Sequence, residues 1–359
     1  MTTRRYNPLL DSWVIVAADR LKRPWSGEKE VKYDSVSLDN HKDISIDIPI
    51  NNNPLAPGGI RDNGKRNPMY SGVYVFENDF PTFNKDKQNI INNHSEKDDL
   101  FVEENLLSGI CKVICYSEKT NDRLSVMSID QIFNVLDTWC DEFEKLKFEF
   151  DWIQIFENRG TEVGSSNMHP HCQLWAMNYV PSIPLKKDET QKIYFEKNGK
   201  NMLYEYMKKE IEKKERIISE NDDWVVLVPY WALWPFETMI LPKFNIQYIT
   251  ELSDSQKRSL AIILKIILLK YDLIFDCSFP YMFGVINAPS GKYFNKSKPH
   301  WQLHFHFYPP LLRSSTIKKH LAGFEVFAEP QRDLTPETAA DIIKKQQNKE
   351  IEDLLKYCK

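Results

Sequence analysis

Six cysteines occur in the 359 residues, and no two of them form a CxxC pair. That removes the commonest thiol arrangement for a zinc ribbon or a thioredoxin-like redox centre. Cys111 and Cys115 lie four apart in an apolar run, which reads as buried thiols. No GxGxxG or GxxxxGK[ST] stretch opens a helical pattern, so neither of the common nucleotide-binding glycine loops is present. Positive charge is not in excess. With 47 Lys and Arg against 51 Asp and Glu the formal charge is −4, and a nucleic-acid footprint is not expected. The longest greasy stretch, Leu260 to Leu269, is interrupted by Lys265 and is too short to span a bilayer. The opening MTTRRYNPLLDSWVIV lacks the apolar core and small-residue cleavage site of a secretion signal. A cytoplasmic protein with free thiols, in contact with neither membrane nor nucleic acid, is the expectation.

What the chain does have is enough apolar and aromatic material, 42% and 13%, for a sizeable core. Its length suits one large fold or two similar halves. Two helix signals stand out. Ser128 with Gln131, and Ser253 with Gln256, have the spacing of a capping box, and each is followed by apolar residues at helical intervals. A strand-like run precedes each helix (Lys112 to Ser117; Trp224 to Pro242), and another follows it (Trp152 to Phe156; Tyr281 to Asn287). Then come a glycine-containing polar loop and a His-x-His segment, HPHCQLW at 169–175 and HWQLHFHFY at 300–308. The same order of elements, offset by 125 to 135 residues, points to an internal duplication, because solenoid repeats are much shorter. Helices among meandering β-runs favour an α+β fold over a doubly wound sheet. Residues 1–180 and 220–359 would be the two halves. The charged segment 181–219 would be a helical connector, broken near Asn198 and Gly199. Residues 38–54 and 84–105 read as surface loops. Thr335 and Pro336 would start a tail helix.

Alternate side chains of a strand share a face, so His169 pairs with His171, and His304 with His306. Gln173 returns to the face of His171, while Cys172 points away. Beside them runs a Gly-Ser-Ser-Asn loop, Gly164 to Asn167, whose backbone N–H groups and hydroxyls could cradle phosphate oxygens. Histidine can serve as a covalent nucleophile, and its reference pKa of about 6.5 leaves neutral imidazole available near pH 7. An isolated His-x-His strand is more often metal-binding or merely packed than catalytic. The loop and the glutamine together favour a phosphate site.

The segment FENRGTEVGSSNMHPHCQLWA (156–176) resembles the active-site signature of the galactose-1-phosphate uridylyltransferases, within the histidine-triad superfamily. The resemblance extends to RRYNPLLDSWVIVAADRLKRPWSG (4–27), NPLAPGGIRDNGKRNP (53–68), VFENDFP (75–81), VPYWALWPFETMILPK (228–243) and residues 300–337. It implies a duplicated histidine-triad-like fold, an antiparallel half-barrel sheet flanked by helices. It also implies a ping-pong exchange in which His171 takes the uridylyl group from UDP-glucose and passes it to galactose 1-phosphate. Gln173 would stabilise the charged intermediate. Asn158, Gly164, Ser165 and Ser166 would contact nucleotide and phosphate, and Asn78 and Asp79 the uridine and ribose. Lys319, His320, Leu321, Ala322, Phe324, Glu325 and Gln331 would bind the hexose phosphate. Arg20 and Arg23 would reach across a homodimer interface, where a guanidinium fork suits phosphate.

The chain also departs from that pattern. One family metal site uses a CxxC pair, a further His and the first His of HPH. Here those positions are Asn53, Ala56 and Thr120, and only His169 remains. A second site uses a Glu and three His. His304 and His306 match two ligands, and the others align with Lys187, or Asp188 or Glu189 in a shifted register, and with Ile286. Metals are structural in the family, so no cofactor is expected to be required, and neither zinc nor iron is expected at His304 and His306. His306 takes the repeat position of His171, but Tyr308 stands where glutamine would be, so the second strand reads as scaffold. The competing readings are a related sugar-nucleotide nucleotidyltransferase or phosphorylase, and a non-catalytic nucleotide-binding homologue.

Overall fold

A computed structural model of the chain describes residues 2–7, 12–17, 53–83, 103–104 and 107–358. Arg20 and Arg23 lie outside the described residues, as does most of the two stretches read as surface loops. The first part of the chain contains strands β1 (Thr2–Asn7), β2 (Ser12–Ala17), β3 (Tyr74–Glu77), β4 (Glu103–Glu104) and β5 (Gly109–Cys115). Helix α1 (Ile129–Leu146), strands β6 (Trp152–Arg159) and β7 (His171–Met177), and helices α2 (Ser182–Asn198) and α3 (Met202–Lys213) follow. The later part holds β8 (Ile217–Glu220), β9 (Trp224–Leu227), β10 (Thr238–Pro242), α4 (Asp254–Ile274), β11 (Tyr281–Ile286) and β12 (His304–Tyr308). Helices α5 (Gly323–Phe327), α6 (Pro336–Lys345) and α7 (Lys349–Leu355) close it.

Both capping boxes form. The Ser128 hydroxyl accepts from the Gln131 N–H at 3.2 Å, and the Gln131 side chain accepts from the Ser128 N–H at 2.8 Å. Ser253 and Gln256 repeat the exchange at 3.3 and 3.0 Å. Two orphan N–H groups at each helix start are thereby satisfied. The helices pack on one another and turn Leu136, Trp139 and Phe143 of α1, and Leu260, Leu264 and Ile267 of α4, into the main core. Burying a leucine or phenylalanine of this kind contributes roughly 1.5–3 kcal/mol. Gly199 ends α2 with a left-handed φ of 65°, and α3 starts from an Asn201 cap. Thr335 caps α6, with Pro336 in its first turn.

The fold is α+β. Nine strands form one open antiparallel sheet in the order β3-β5-β7-β6-β11-β12-β10-β9-β8, and β2-β1-β4 form a small second sheet. The order reflects about the β6–β11 seam, since β5, β7 and β6 on one side answer β10, β12 and β11 on the other. Each triplet arises in the same way: a strand, a capped helix, then an antiparallel hairpin laid beside the first strand. No helix among the described residues is long and apolar enough to cross a membrane.

One sequence expectation changes in detail. The strand carrying the HPH motif begins at His171, because Pro170 has no N–H to give the ladder. The two-residue alternation therefore does not extend back to His169, which is buried just before the strand. Beyond that point the alternation holds: Cys172, Leu174 and Ala176 enter the core, while His171, Gln173 and Trp175 stay half-buried on the other face.

Candidate active site

Strand β7 ends its ladder opposite Cys115 of β5, and this places His171 at the sheet rim, where the chain enters from the Gly160–Asn167 loop. The Nδ1 atom of His171 lies 2.7 Å from the His169 carbonyl. A carbonyl only accepts, so Nδ1 carries the proton, and in the neutral ring the lone pair is on Nε2. His171 lines a cavity of about 180 Å³ together with Asn158, Ser165, His169 and Arg159. Gln173 is not part of that lining. Its Oε1 accepts from the Trp175 indole N–H at 3.1 Å, which leaves its amide N–H groups as the donors on the His171 face.

The cavity wall at residues 160–164 is a tight 3-10 turn. Gly160, with φ +92°, packs where a Cβ would come within 2.7 Å of Pro280, and Gly164 takes a left-handed φ of +80°. The N–H of Gly164 donates to Thr161 O at 3.0 Å, and that of Ser165 to Gly160 O at 3.2 Å. These two N–H groups, expected from sequence to cradle an anion, instead hold the turn together. The side chains of Ser165 and Asn158 remain in the lining, whereas Gly164 and Ser166 are exposed in the same loop. Asn167 ties the loop down: it exchanges amide hydrogen bonds with Asn53 at 2.9 and 3.1 Å and accepts from the His169 N–H at 2.9 Å.

His169 is fully committed. The Tyr70 hydroxyl donates to Leu55 O at 2.6 Å and so accepts from His169 Nε2 at 2.8 Å, which leaves Nδ1 to accept from Thr120 at 3.2 Å. Burial, with His171 nearby, lowers the His169 pKa to about 4. A zinc ion does not fit here. Asn53, Ala56 and Thr120 offer no thiolate or imidazole, and both nitrogens of the one histidine are hydrogen-bonded.

Asn78 and Asp79 sit beyond β3, two strands from β7 and away from the cavity lining. The Asn78 N–H donates to Cys111 O at 2.8 Å. Burial raises the Asp79 carboxyl, against the pull of Arg61 at 3.4 Å. Arg61, which also stacks 4.5 Å over Phe76, is a neighbour that no sequence signal singled out. The 319–331 segment lines a separate cavity of about 380 Å³, to which Lys319, His320, Ala322, Glu325 and Gln331 all contribute. Glu325 organises it, accepting from Lys319 Nζ at 2.6 Å and from the N–H groups of Ala322 and Gln331. The Lys319 ammonium and these N–H groups hold its carboxyl well below the usual range. Leu321 and Phe324 stand exposed.

Sequence reasoning passed over Glu157. It is buried at the back of the cavity, accepting from Tyr116 at 3.0 Å and Tyr281 at 3.2 Å. Burial pushes its pKa up to about 7, partly offset by Arg159. A carboxyl raised in this way binds its proton more tightly folded than unfolded. Its stabilising contribution is complete below about pH 4.5 and is lost as pH rises through about 7. Glu157→Gln should therefore flatten the fall in stability between those pH values, by on the order of 3 kcal/mol. Urea unfolding at the two ends of that window checks this, and parallel profiles for the two proteins would show that Glu157 does not titrate there.

Residues 1–181 match the family model described as the N-terminal domain of galactose-1-phosphate uridyl transferase, and residues 187–355 match its C-terminal domain. The chain belongs to the galactose-1-phosphate uridylyltransferase family. It is 43% identical over 339 residues to the Haemophilus influenzae galactose-1-phosphate uridylyltransferase, covering 94% of this chain and 92% of the relative. Its identity to the Rattus norvegicus enzyme is 42% over 337 residues, covering 94% and 86%. A solved uridylyltransferase superposes with a TM-score of 0.77 at 25% identity, covering 99% of this chain and all of that one. An ADP-glucose phosphorylase from Arabidopsis thaliana shares the fold, with a TM-score of 0.68 at 21% identity over 97% of this chain. Like its family, the chain is a nucleotidyltransferase.

Proposed function

We propose that this enzyme moves a uridylyl group from UDP-glucose to galactose 1-phosphate through a covalent intermediate on His171. The observation that carries the reading is the clamp on Nδ1. The carbonyl of His169 holds the ring in the tautomer that keeps the proton on Nδ1 and the lone pair on Nε2, in a residue that lines a loop-walled cavity. In the first displacement that lone pair forms a bond to the α-phosphorus. The bond from phosphorus to the bridging oxygen breaks, and glucose 1-phosphate leaves with the electron pair. In the second, a phosphate oxygen of galactose 1-phosphate attacks the same phosphorus, and the P–N electron pair returns to Nε2. One site thus serves both sugar phosphates in turn. The Gln173 amide donates to the non-bridging oxygens. Asn158, Ser165 and the loop around Gly164 and Ser166 position the phosphates, and Asn78 with Asp79 takes the nucleoside. No step needs a metal ion.

The hexose-phosphate residues Lys319 to Gln331 line a different cavity from His171 in the same chain. In our reading they complete the active site of a second copy, to which Arg20 and Arg23 also reach. Leu321, Phe324, Val326 and Phe327 are all at least half exposed, and a closed homodimer would cover them. The same reading makes residues 1–180 and 220–359 the two duplicated halves, with 181–219 as connector, in a cytoplasmic enzyme. Mixing the protein with UDP-glucose and galactose 1-phosphate should yield UDP-galactose and glucose 1-phosphate. Turnover of ADP-glucose with no UDP-galactose formed would instead favour the activity named for the Arabidopsis thaliana protein that shares the fold.

A further inference from the structure

We propose that the ammonium of Lys187 occupies the place of a metal cation beside His304 and His306 and keeps metal out. Strand β12 carries both imidazoles into the interior, where they are 1% and 4% exposed. The Nδ1 of His304 lies 3.0 Å from the Gln302 carbonyl, so it holds the proton and Nε2 holds the lone pair. An imidazole fixed to a backbone carbonyl in this way is in the state in which histidine ligates a metal. Here the lone pair faces Lys187 Nζ at 3.1 Å instead.

The second histidine is closed as well. His306 Nε2 is 2.8 Å from Glu237 Oε1, and only a protonated nitrogen can make that bond. Its Nδ1 then accepts from the Tyr308 hydroxyl at 3.2 Å, with the two rings stacked at 4.3 Å. Helix α2 delivers the lysine in one register only. The next residue, Asp188, is bound to His300 at 2.9 Å, and Glu189 faces Lys186 at the surface. Neither carboxylate is turned to the pair, and the shifted register left open by sequence does not occur. Opposite His304 on β11 the register places Ile286, which offers no donor. Among the described residues no three His, Cys, Asp or Glu side chains are grouped to hold a metal ion. A compact ammonium with three donors satisfies the buried nitrogen that a metal would otherwise bind.

The inference concerns the scaffold and stands independently of the proposed reaction. Its test is metal content. The full-length protein, dialysed against zinc chloride and then buffer, should retain well under one zinc per chain by elemental mass spectrometry, and EDTA should leave its Tm unchanged. Ile286→His supplies a third imidazole but keeps the lysine, and should still retain none. Lys187→Glu combined with Ile286→His removes the ammonium and adds a carboxylate. It should retain one zinc per chain and bind at least roughly tenfold more tightly than Ile286→His alone, as the new carboxylate, the new imidazole and His304 Nε2 with a water in the fourth position allow. Stoichiometric zinc in the unmodified protein that is lost in His304→Ala would overturn the proposal. So would equally tight zinc in Ile286→His with Lys187 intact. Both observations are made on proteins that keep Lys187, so they do not depend on the double variant folding.

Discussion

His171→Gly is expected to lower the exchange between UDP-glucose and galactose 1-phosphate by roughly 10⁴-fold or more, because it removes the atom that the proposed mechanism bonds to phosphorus. Stability should change little, since the ring is only half-buried. The decisive readout is intact-protein mass spectrometry. Unmodified protein incubated with UDP-glucose alone should carry one uridylyl group, localised to His171, and should lose it when galactose 1-phosphate is added. A non-catalytic nucleotide binder would show no adduct. A direct, single-displacement transferase would also show none, yet would turn over. Near-normal turnover in His171→Gly would remove the nucleophile assignment, whatever the fold.

The parts of this molecule that sequence made legible are those governed by short-range rules. The Ser128 and Ser253 capping boxes, the Gly199 helix stop and the Cys172/Gln173 alternation each depend on a few neighbouring residues, and each is present. The duplicated order of elements was readable because strand, capped helix and hairpin leave the same spacing twice. Long-range partners were not readable. Nothing in the local pattern says that Tyr70 would hold His169 across 99 residues, or that Asn53 would lock Asn167 across 114. Glu157 was missed for a related reason. Nothing in the local run Phe156-Glu157-Asn158 marks it as buried, and only the arrival of Tyr116 from the end of β5 and Tyr281 from β11 makes its site dry. The phosphate loop shows the opposite error. Two of the backbone N–H groups that the Gly164–Asn167 sequence offers to an anion, those of Gly164 and Ser165, are consumed by the turn itself.

The second large effect is expected at Gln173. In the proposed reaction, replacement by alanine removes a donor to the charge that develops on phosphorus, and losses of about 10²–10³-fold in kcat are typical of such donors. The Trp175 contact makes the direction of the amide testable. With its Oε1 taken by the indole N–H, the glutamine can present only N–H to the substrate. Gln173→Glu keeps an acceptor for Trp175 but replaces the donor with a negative oxygen facing phosphate, so it should be at least as damaging as alanine. Trp175→Phe keeps the ring and removes only the indole N–H, which frees the amide to rotate. About tenfold should be lost from kcat with KM nearly unchanged, because Trp175 acts through the glutamine and touches no substrate. In Gln173→Ala the uridylyl adduct on His171 should form slowly and accumulate less, since the same donor supports the charged intermediate. If Gln173→Glu were as active as the unmodified protein, the amide would not be donating to the phosphoryl group. The stabilisation would then fall to other donors, such as Arg159 in the cavity lining.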